Sequence, residues 1–257
     1  MTAPRGKTTP LKGKSAVSHF GKFALMVSII AVAANLVILF GAKFGLWAPL
    51  DGFRLYRGYF NLIAYVAVGV GLAALILHIL RKERSGILSA ALASLMGVAL
   101  LVPMIASTLN PPARVPPIHD ITTDTQNPPA FFVLDETRPN ASNTLAYGGP
   151  EIAEQQNAAY PDIAPIIADM SPEAAFDLSL AVAADMGWQI AASDPENLRF
   201  EATAYTKVFN FADDVVVVVT PAEDGSRVDI RSVSRVGRSD QGVNAARIRA
   251  FVAAFTG

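Results

Sequence analysis

Three stretches of the chain have no polar face. They run over 23–44, 60–80 and 87–106, and each is close to the ~20 residues that cross a hydrocarbon core as a helix. Core helices of a soluble domain would alternate apolar and polar sides, and these do not. Beyond residue 170 the pattern changes to amphipathic elements. Ser171-Pro172-Glu173 supplies an N-cap, a first-turn proline and a first-turn acid, so a helix runs from there to Met186 and stops at Gly187. Phe176, Leu180 and Ala183/Ala184 mark its apolar stripe. Strand-like segments follow at 188–193, 198–205, 215–220 and 226–234, with Asp224-Gly225 turning the last pair. Asp240 caps a final helix over 241–255, whose apolar face is Val243, Ile248, Phe251, Val252 and Phe255.

The predicted architecture is a three-helix membrane anchor plus an α+β extramembrane domain, a four-stranded antiparallel meander flanked by two helices. Its parts are a basic tail (1–22), a membrane domain (23–106), a proline-rich spacer (107–117) and the α+β domain (118–257). Eleven of the 17 prolines lie between 103 and 165, so 118–165 is expected to be an extended wrap with Phe131-Phe132-Val133-Leu134 as its anchor.

Charge sharpens this division. Residues 1–110 carry 11 basic and 2 acidic side chains, and residues 111–257 carry 10 basic and 20 acidic ones. Eight cations on the tail and the 81–84 loop, against three on the 43–57 loop, predict a cytoplasmic N-terminus and an acidic C-terminal half outside the cytoplasm. Within the spans, Gly69, Gly71, Gly97, Ser89 and Ser94 permit close helix contact. Asn35 predicts an interhelical hydrogen bond, and His19 and His78 are expected at the interface. There is no cysteine, which excludes disulfides, thiolate metal sites and cysteine nucleophiles. No metal and no cofactor are predicted.

The candidate chemistry concentrates in 226–249, with six arginines and two acids. Strand alternation puts Arg231 and Arg235 on one face, with Arg238 following the Gly237 turn. Guanidinium forks suit carboxylate or phosphate, so Arg231, Arg235, Arg238, Ser232, Ser234, Asp240 and Asn244 form a candidate ligand site. The competing reading is an arginine–carboxylate frame that uses Asp120, Asp124, Asp162 and Asp169. Glu201, on the face of Arg199, Thr203 and Tyr205, is a further possible arginine partner. His119 with Asp120, Asp124 or a serine is a candidate catalytic group, against the reading of a hydrogen-bonded structural histidine, and Asp213-Asp214 is a candidate carboxylate pair, against that of a strand start or bulge before the valine run. Nucleic acid is an unsuitable partner for an acidic domain. The expected partners are the lipid bilayer and an envelope protein or anionic ligand.

The stretches 118–129 (IHDITTDTQNPP), 160–163 (YPDI), 209–219 (FNFADDVVVVV) and 229–248 (DIRSVSRVGRSDQGVNAARI) resemble the domain of unknown function 1499 family. Membrane-anchored members with several N-terminal helices are familiar in alphaproteobacteria, and this chain looks like one. The resemblance implies no established activity. It implies that Arg231, Ser232, Ser234, Arg235, Gly237, Arg238, Asp240, Gly242 and Asn244 match one signature, and His119, Asp120, Thr123 and Asp124 another. The leading expectation is a non-enzymatic envelope protein that binds a protein partner, a lipid headgroup or an anionic ligand. The alternative is an envelope hydrolase using His119.

Overall fold

The computed structural model describes residues 16–111 and 113–257. Arg5, Lys7, Lys12 and Lys14 of the basic tail, and Pro112 of the spacer, lie outside the described residues. The chain divides into two compact units, with the division between Pro112 and Ala113.

The first unit contains α1 (Ala16–Phe40), the short α2 (Pro49–Leu55), α3 (Asn61–Leu80) and α4 (Ile87–Leu109). A π-helical turn, Tyr56–Phe60, makes α2 and α3 one continuous rod. Three helices here are long and apolar enough to cross a membrane: His19–Phe44, Pro49–Leu80 and Ile87–Leu109. They meet along small residues at alternating spacings of three and four. On α1 the seam is Gly21, Ala24, Ser28, Ala31, Asn35 and Ile38, and on α3 it is Ala64, Ala67, Gly71, Ala74 and His78. Large side chains such as Ile30, Leu72 and Leu95 point outward. That inversion of a soluble bundle suits a solvent as apolar as the side chains themselves.

Backbone contact explains the small residues. A Cβ on Gly71 would stand 2.7 Å from the Ser94 nitrogen, and one on Gly97 2.5 Å from the Val68 nitrogen. Gly69 meets nothing within 4 Å, so it plays no part in the contact expected of it. Asn35 Nδ2 donates to the Phe60 carbonyl at 3.4 Å, the expected interhelical bond. His78 departs from expectation. It is fully buried, with Nδ1 2.8 Å from the Ala74 oxygen and Nε2 3.2 Å from the Ser85 oxygen.

The second unit is an α+β domain of six strands and three helices. Strands β1 (Asp120–Thr122), β2 (Ile166–Ala168), β3 (Gln189–Asp194), β4 (Arg199–Tyr205), β5 (Ala212–Ala222) and β6 (Gly225–Ser234) form one antiparallel sheet. Its order is β1-β6-β5-β4-β3, with β2 also on the outer side of β6. The predicted four-strand meander is β3 to β6. The expected count of four strands falls short because two pieces of the wrap, β1 and β2, pair with β6. The wrap also holds a third helix, α5 (Gly149–Ala159), which begins at Pro150 and Glu151. Proline is tolerated in a helix's first turn, so the proline count alone missed it.

Helices α6 (Pro172–Asp185) and α7 (Val243–Thr256) cover one sheet face. Ser171 Oγ accepts from the Ala174 N–H at 3.2 Å, as an N-cap should. Alternate residues Phe200, Val215, Val217, Ile230 and Ile121 join Phe176, Trp188 and Phe251 in the core. Trp188 stacks on Phe251 with ring centres 5.4 Å apart. The opposite face carries Glu201, Thr203, Asp214, Val216, Arg231 and Arg235, and residues 128–147 run across it as a strap. Gln156 of α5 closes the β1 edge. It accepts from the Thr122 N–H at 3.0 Å and donates to the Thr122 carbonyl at 2.7 Å.

The seam makes a clear prediction. Gly71→Ala drives a methyl group into the α4 backbone, an overpacking that costs about 1–3 kcal/mol. Thermal melts of the full chain in detergent should show a lowered Tm for Gly71→Ala and an unchanged one for Gly69→Ala.

Candidate functional site: a closed arginine frame

Strand β6 sits inside the sheet, so its side chains have nowhere to go but the two covered faces. On the strap face Arg231 is 2% exposed. Its Nε and Nη2 grip both oxygens of Asp120 at 2.9 and 2.7 Å. Nη1 donates to the Pro129 carbonyl at 3.1 Å, and Nη2 also donates to the Leu145 carbonyl at 2.7 Å. Phe131 and Tyr147 lie about 5.5 and 5.4 Å from the guanidinium carbon. Asp120 reaches it because β1 pairs Asp120 opposite Val233, on the same face.

Arg235 binds Asp214 through Nε (3.0 Å) and Nη2 (2.8 Å), and Nη2 also donates to Thr203 Oγ1 at 3.0 Å. Thr203 Oγ1 in turn donates to Asp214 at 2.9 Å. Arg138 of the strap brings its Nε within 3.1 Å of the second Asp214 oxygen, and donates to the Asn143 carbonyl at 2.6 Å. Its Nη1 finds no partner among the described residues. Glu201 is fully buried and takes no arginine, contrary to expectation. Its carboxylate accepts from three successive strap amides, Phe132, Val133 and Leu134, the last at 2.6 Å. Such a nest of N–H groups holds an anion without a cation.

The helix face has a second polar cluster. Ser232, Ser234, Ala202 and Ala204 are small there and leave room under α7 for Asn244 and Arg247. Asn244 donates to the His119 carbonyl (2.9 Å) and Ser234 Oγ (3.0 Å), and accepts from Ser232 Oγ at 2.8 Å. Arg247 bonds to Asn244 and Ser232 and pairs with Asp213. The neighbours Asp213 and Asp214 therefore point to opposite faces, each with its own arginine. They are not a carboxylate dyad, because successive strand residues alternate. α7 begins at Val243 with Gly242 as its N-cap, two residues later than expected, and Asp240 is not the cap itself but accepts from the Gly242 and Asn244 amides at 2.9 and 2.8 Å as the chain enters the helix. Burial pushes the Asp213 and Asp240 carboxyls above the ordinary aspartate value.

The other predicted residues are scattered. Arg238 is exposed and forms no ion pair among the described residues. His119 is half-buried, with Nδ1 3.4 Å from the Arg238 carbonyl. Asp124 forms an Asx turn with the Asn127 and Gln126 amides and pairs with Arg227 at 2.6 Å. The Asn127 amide is the main cause holding its carboxyl below the ordinary value. Asp162 pairs with Arg249. Asp169 joins no arginine among the described residues. Three groups carry no local signal along the chain: Arg138 and Arg247 as partners of Asp214 and Asp213, and the amide nest around Glu201. No group of three or more His, Cys, Asp or Glu able to hold a metal occurs among the described residues.

Two shallow clefts flank the strap. One, of about 440 Å³, is lined by Phe131, Leu134, Leu145, Tyr147 and Arg231. Burial raises the Tyr147 hydroxyl to about 12, and that hydroxyl has no partner among the described residues. The other, of about 550 Å³, is lined by already paired charges, Arg199, Arg227, Asp124 and Asp229 among them.

A strapped antiparallel sheet with helices on one face and an arginine frame defines the domain's class. The family model described as Protein of unknown function (DUF1499) matches residues 120–255, just over half of the chain, and the chain belongs to that family. No curated protein matches the chain.

Arg231→Ala should leave Asp120 buried and unpaired, at a cost of about 3–5 kcal/mol. Thermal melts of the variant should show a large fall in Tm, and millimolar phosphate should not raise the wild-type value. Acid should act partly through Asp124. Its folded-state pKa is lowered, so its contribution to stability is complete above 3.8 and fades as pH falls below that value toward the folded one. Asp124→Asn should therefore show a shallower loss of Tm between pH 4 and lower pH than wild type.

Proposed function

We propose that this chain is a membrane-anchored protein of the bacterial cell envelope whose C-terminal domain is a non-enzymatic binding module. Three helices hold it in the inner membrane with the N-terminus in the cytoplasm and the domain in the periplasm. The domain binds an envelope protein, a lipid headgroup or an anionic ligand at its outer surface. One observation carries this reading. The arginines, aspartates, serines and asparagine of the 229–248 signature are almost entirely engaged by other groups of the domain, and Arg238 alone among its arginines lacks an acidic partner among the described residues. A catalytic centre keeps reactive groups open to substrate. Here the Ser232 and Ser234 hydroxyls are engaged by Asn244, and Arg231 is saturated by Asp120 and two carbonyls. The hydrolase alternative lacks that support, since His119 lies against the Arg238 carbonyl rather than a serine.

Two measurements test the reading. Alkaline phosphatase fused after Thr256 should be active in a bacterial host and inactive when fused after Arg84; the reverse pattern sinks the periplasmic assignment. In a strain deleted for the gene, His119→Ala should restore any lost phenotype as fully as wild type. A folded His119→Ala protein that fails to do so would promote the hydrolase.

A further inference from the structure

Strand directions sort the loops of the extramembrane domain into two ends. The 195–198 and 223–224 turns and residue 169 lie at one end, with Glu196, Glu223, Asp224 and Asp169. The other end, about 30 Å away along the ten-residue β6, is built from residues 113–119, 206–211 and 235–242. Seven of the ten basic residues in 113–257 form ion pairs. The remaining three, Arg114, Lys207 and Arg238, form none among the described residues. All three are exposed, and all three belong to the second end. The one acid in those three segments, Asp240, is buried and occupied by the start of α7. Strap residues 139–143 pack on 235–237 at this end, and exposed carboxylates border it at Asp185 on the helix side and at Asp135 and Glu136 on the strap, where the Glu136 carboxylate is occupied by Thr144 and the Leu145 amide.

The loop between β4 and β5 adds apolar surface beside these cations. Tyr205 is 40% exposed and Val208 36%. Thr206 closes the loop on itself. Its hydroxyl donates to the Val208 carbonyl at 2.7 Å and accepts from the Phe211 amide at 2.8 Å, and its amide donates to the Phe211 carbonyl at 2.9 Å. Phe209 and Asn210 hold positive φ of 63° and 57°, a backbone that a bulky residue such as phenylalanine rarely adopts. The loop thus presents Lys207 and Val208 on a fixed, strained tip rather than a loose one.

We infer that this end of the sheet is a membrane-docking surface, which seats the domain on anionic lipid headgroups through Lys207, Arg238 and Arg114 with the Val208 tip entering the interface. This rests on the membrane-anchored reading above. Anionic surfaces attract each nearby Lys or Arg by about fivefold in population. Such a patch is weak for a free domain but sufficient for one already tethered, because binding is then intramolecular. The acidic turns at the other end are repelled, so one orientation is selected. Amphipathic side chains beside cations favour the headgroup region over water or hydrocarbon.

The chain lacks cysteine, so single probes are simple to place. The full chain carrying Val208→Cys or Glu223→Cys, labelled with a fluorophore, is reconstituted in vesicles containing a nitroxide-bearing lipid. Phosphatidylcholine vesicles are compared with a phosphatidylcholine–phosphatidylglycerol mixture. Quenching is expected at 208 and not at 223, stronger in the anionic mixture, weakened by salt, and reduced severalfold by Lys207→Glu with Arg238→Glu. Both of those side chains are exposed and unpaired, so an unchanged melt should confirm that the double variant folds. Equal quenching at the two positions, none at either, or no effect of the double variant overturns the docking surface. Alkaline extraction separates the two failures. A chain that leaves the vesicles defeats the anchoring itself, whereas a retained chain with uniform quenching defeats only the docking.

Discussion

The bidentate pair between Arg231 and Asp120 is the interaction on which the domain's arrangement depends. β6 is an inner strand, and a guanidinium there must be covered or hydrated. The chain covers it. Asp120 arrives on β1, and the carbonyls of Pro129 and Leu145 close over it from the strap. One side chain thus ties together a central strand, an added edge strand and the two limbs of the strap. A buried ion pair contributes little net stability when compared with well-packed hydrophobic residues, but losing one partner is expensive. Its effect here is to make one threading of the strap compatible with the sheet and to penalise the others.

The same constraint explains the rest of the polar interior. Arg235, Arg138 and Thr203 share Asp214, and Glu201 is held by strap amides instead of a cation. On the helix face, Asn244 links β6, α7 and the entry to β1 by four hydrogen bonds and Arg247 adds the ion pair to Asp213. These clusters sit at neighbouring levels of the sheet on opposite faces. With Arg231, Arg235, Arg247, Glu201 and Asn244 all engaged inside, chemistry available to a partner lies in the clefts beside the strap and on the loops at the sheet ends.

Much of this was legible along the chain. Strand parity assigned Arg231 and Arg235 to one face, because side chains alternate with period two whatever the sheet's topology. The four meander strands, both amphipathic helices and the three apolar runs follow from local pattern and capping residues. Glu201 lacks the arginine expected of it because a carboxylate's partner depends on what lies across the sheet, whereas Asp213-Asp214 opens β5 and is divided between the two faces by strand alternation. Glu201 met amides 67 to 69 residues away in sequence. Helix α5 was hidden by surrounding prolines, although Gly149-Pro150-Glu151 is a usable start signal. Arg138 offered no local signal, since it lies in an irregular segment without periodicity.

Local pattern along the chain is enough for the division into an apolar helical half and an acidic α+β half, for the meander, and for the side of each strand on which its charges fall. Those features depend on hydrophobic periodicity and charge within a few residues, which act before any distant contact forms. Folding in three dimensions settles that the wrap supplies β1, β2 and α5, that Gly71 and Gly97 but not Gly69 admit a neighbouring helix, and that Arg231, Arg235 and Arg247 face inward to carboxylates while Arg238 stays exposed. Each of those depends on pairs of groups far apart in the chain, and such pairs are chosen by the need to satisfy buried charge and backbone at once.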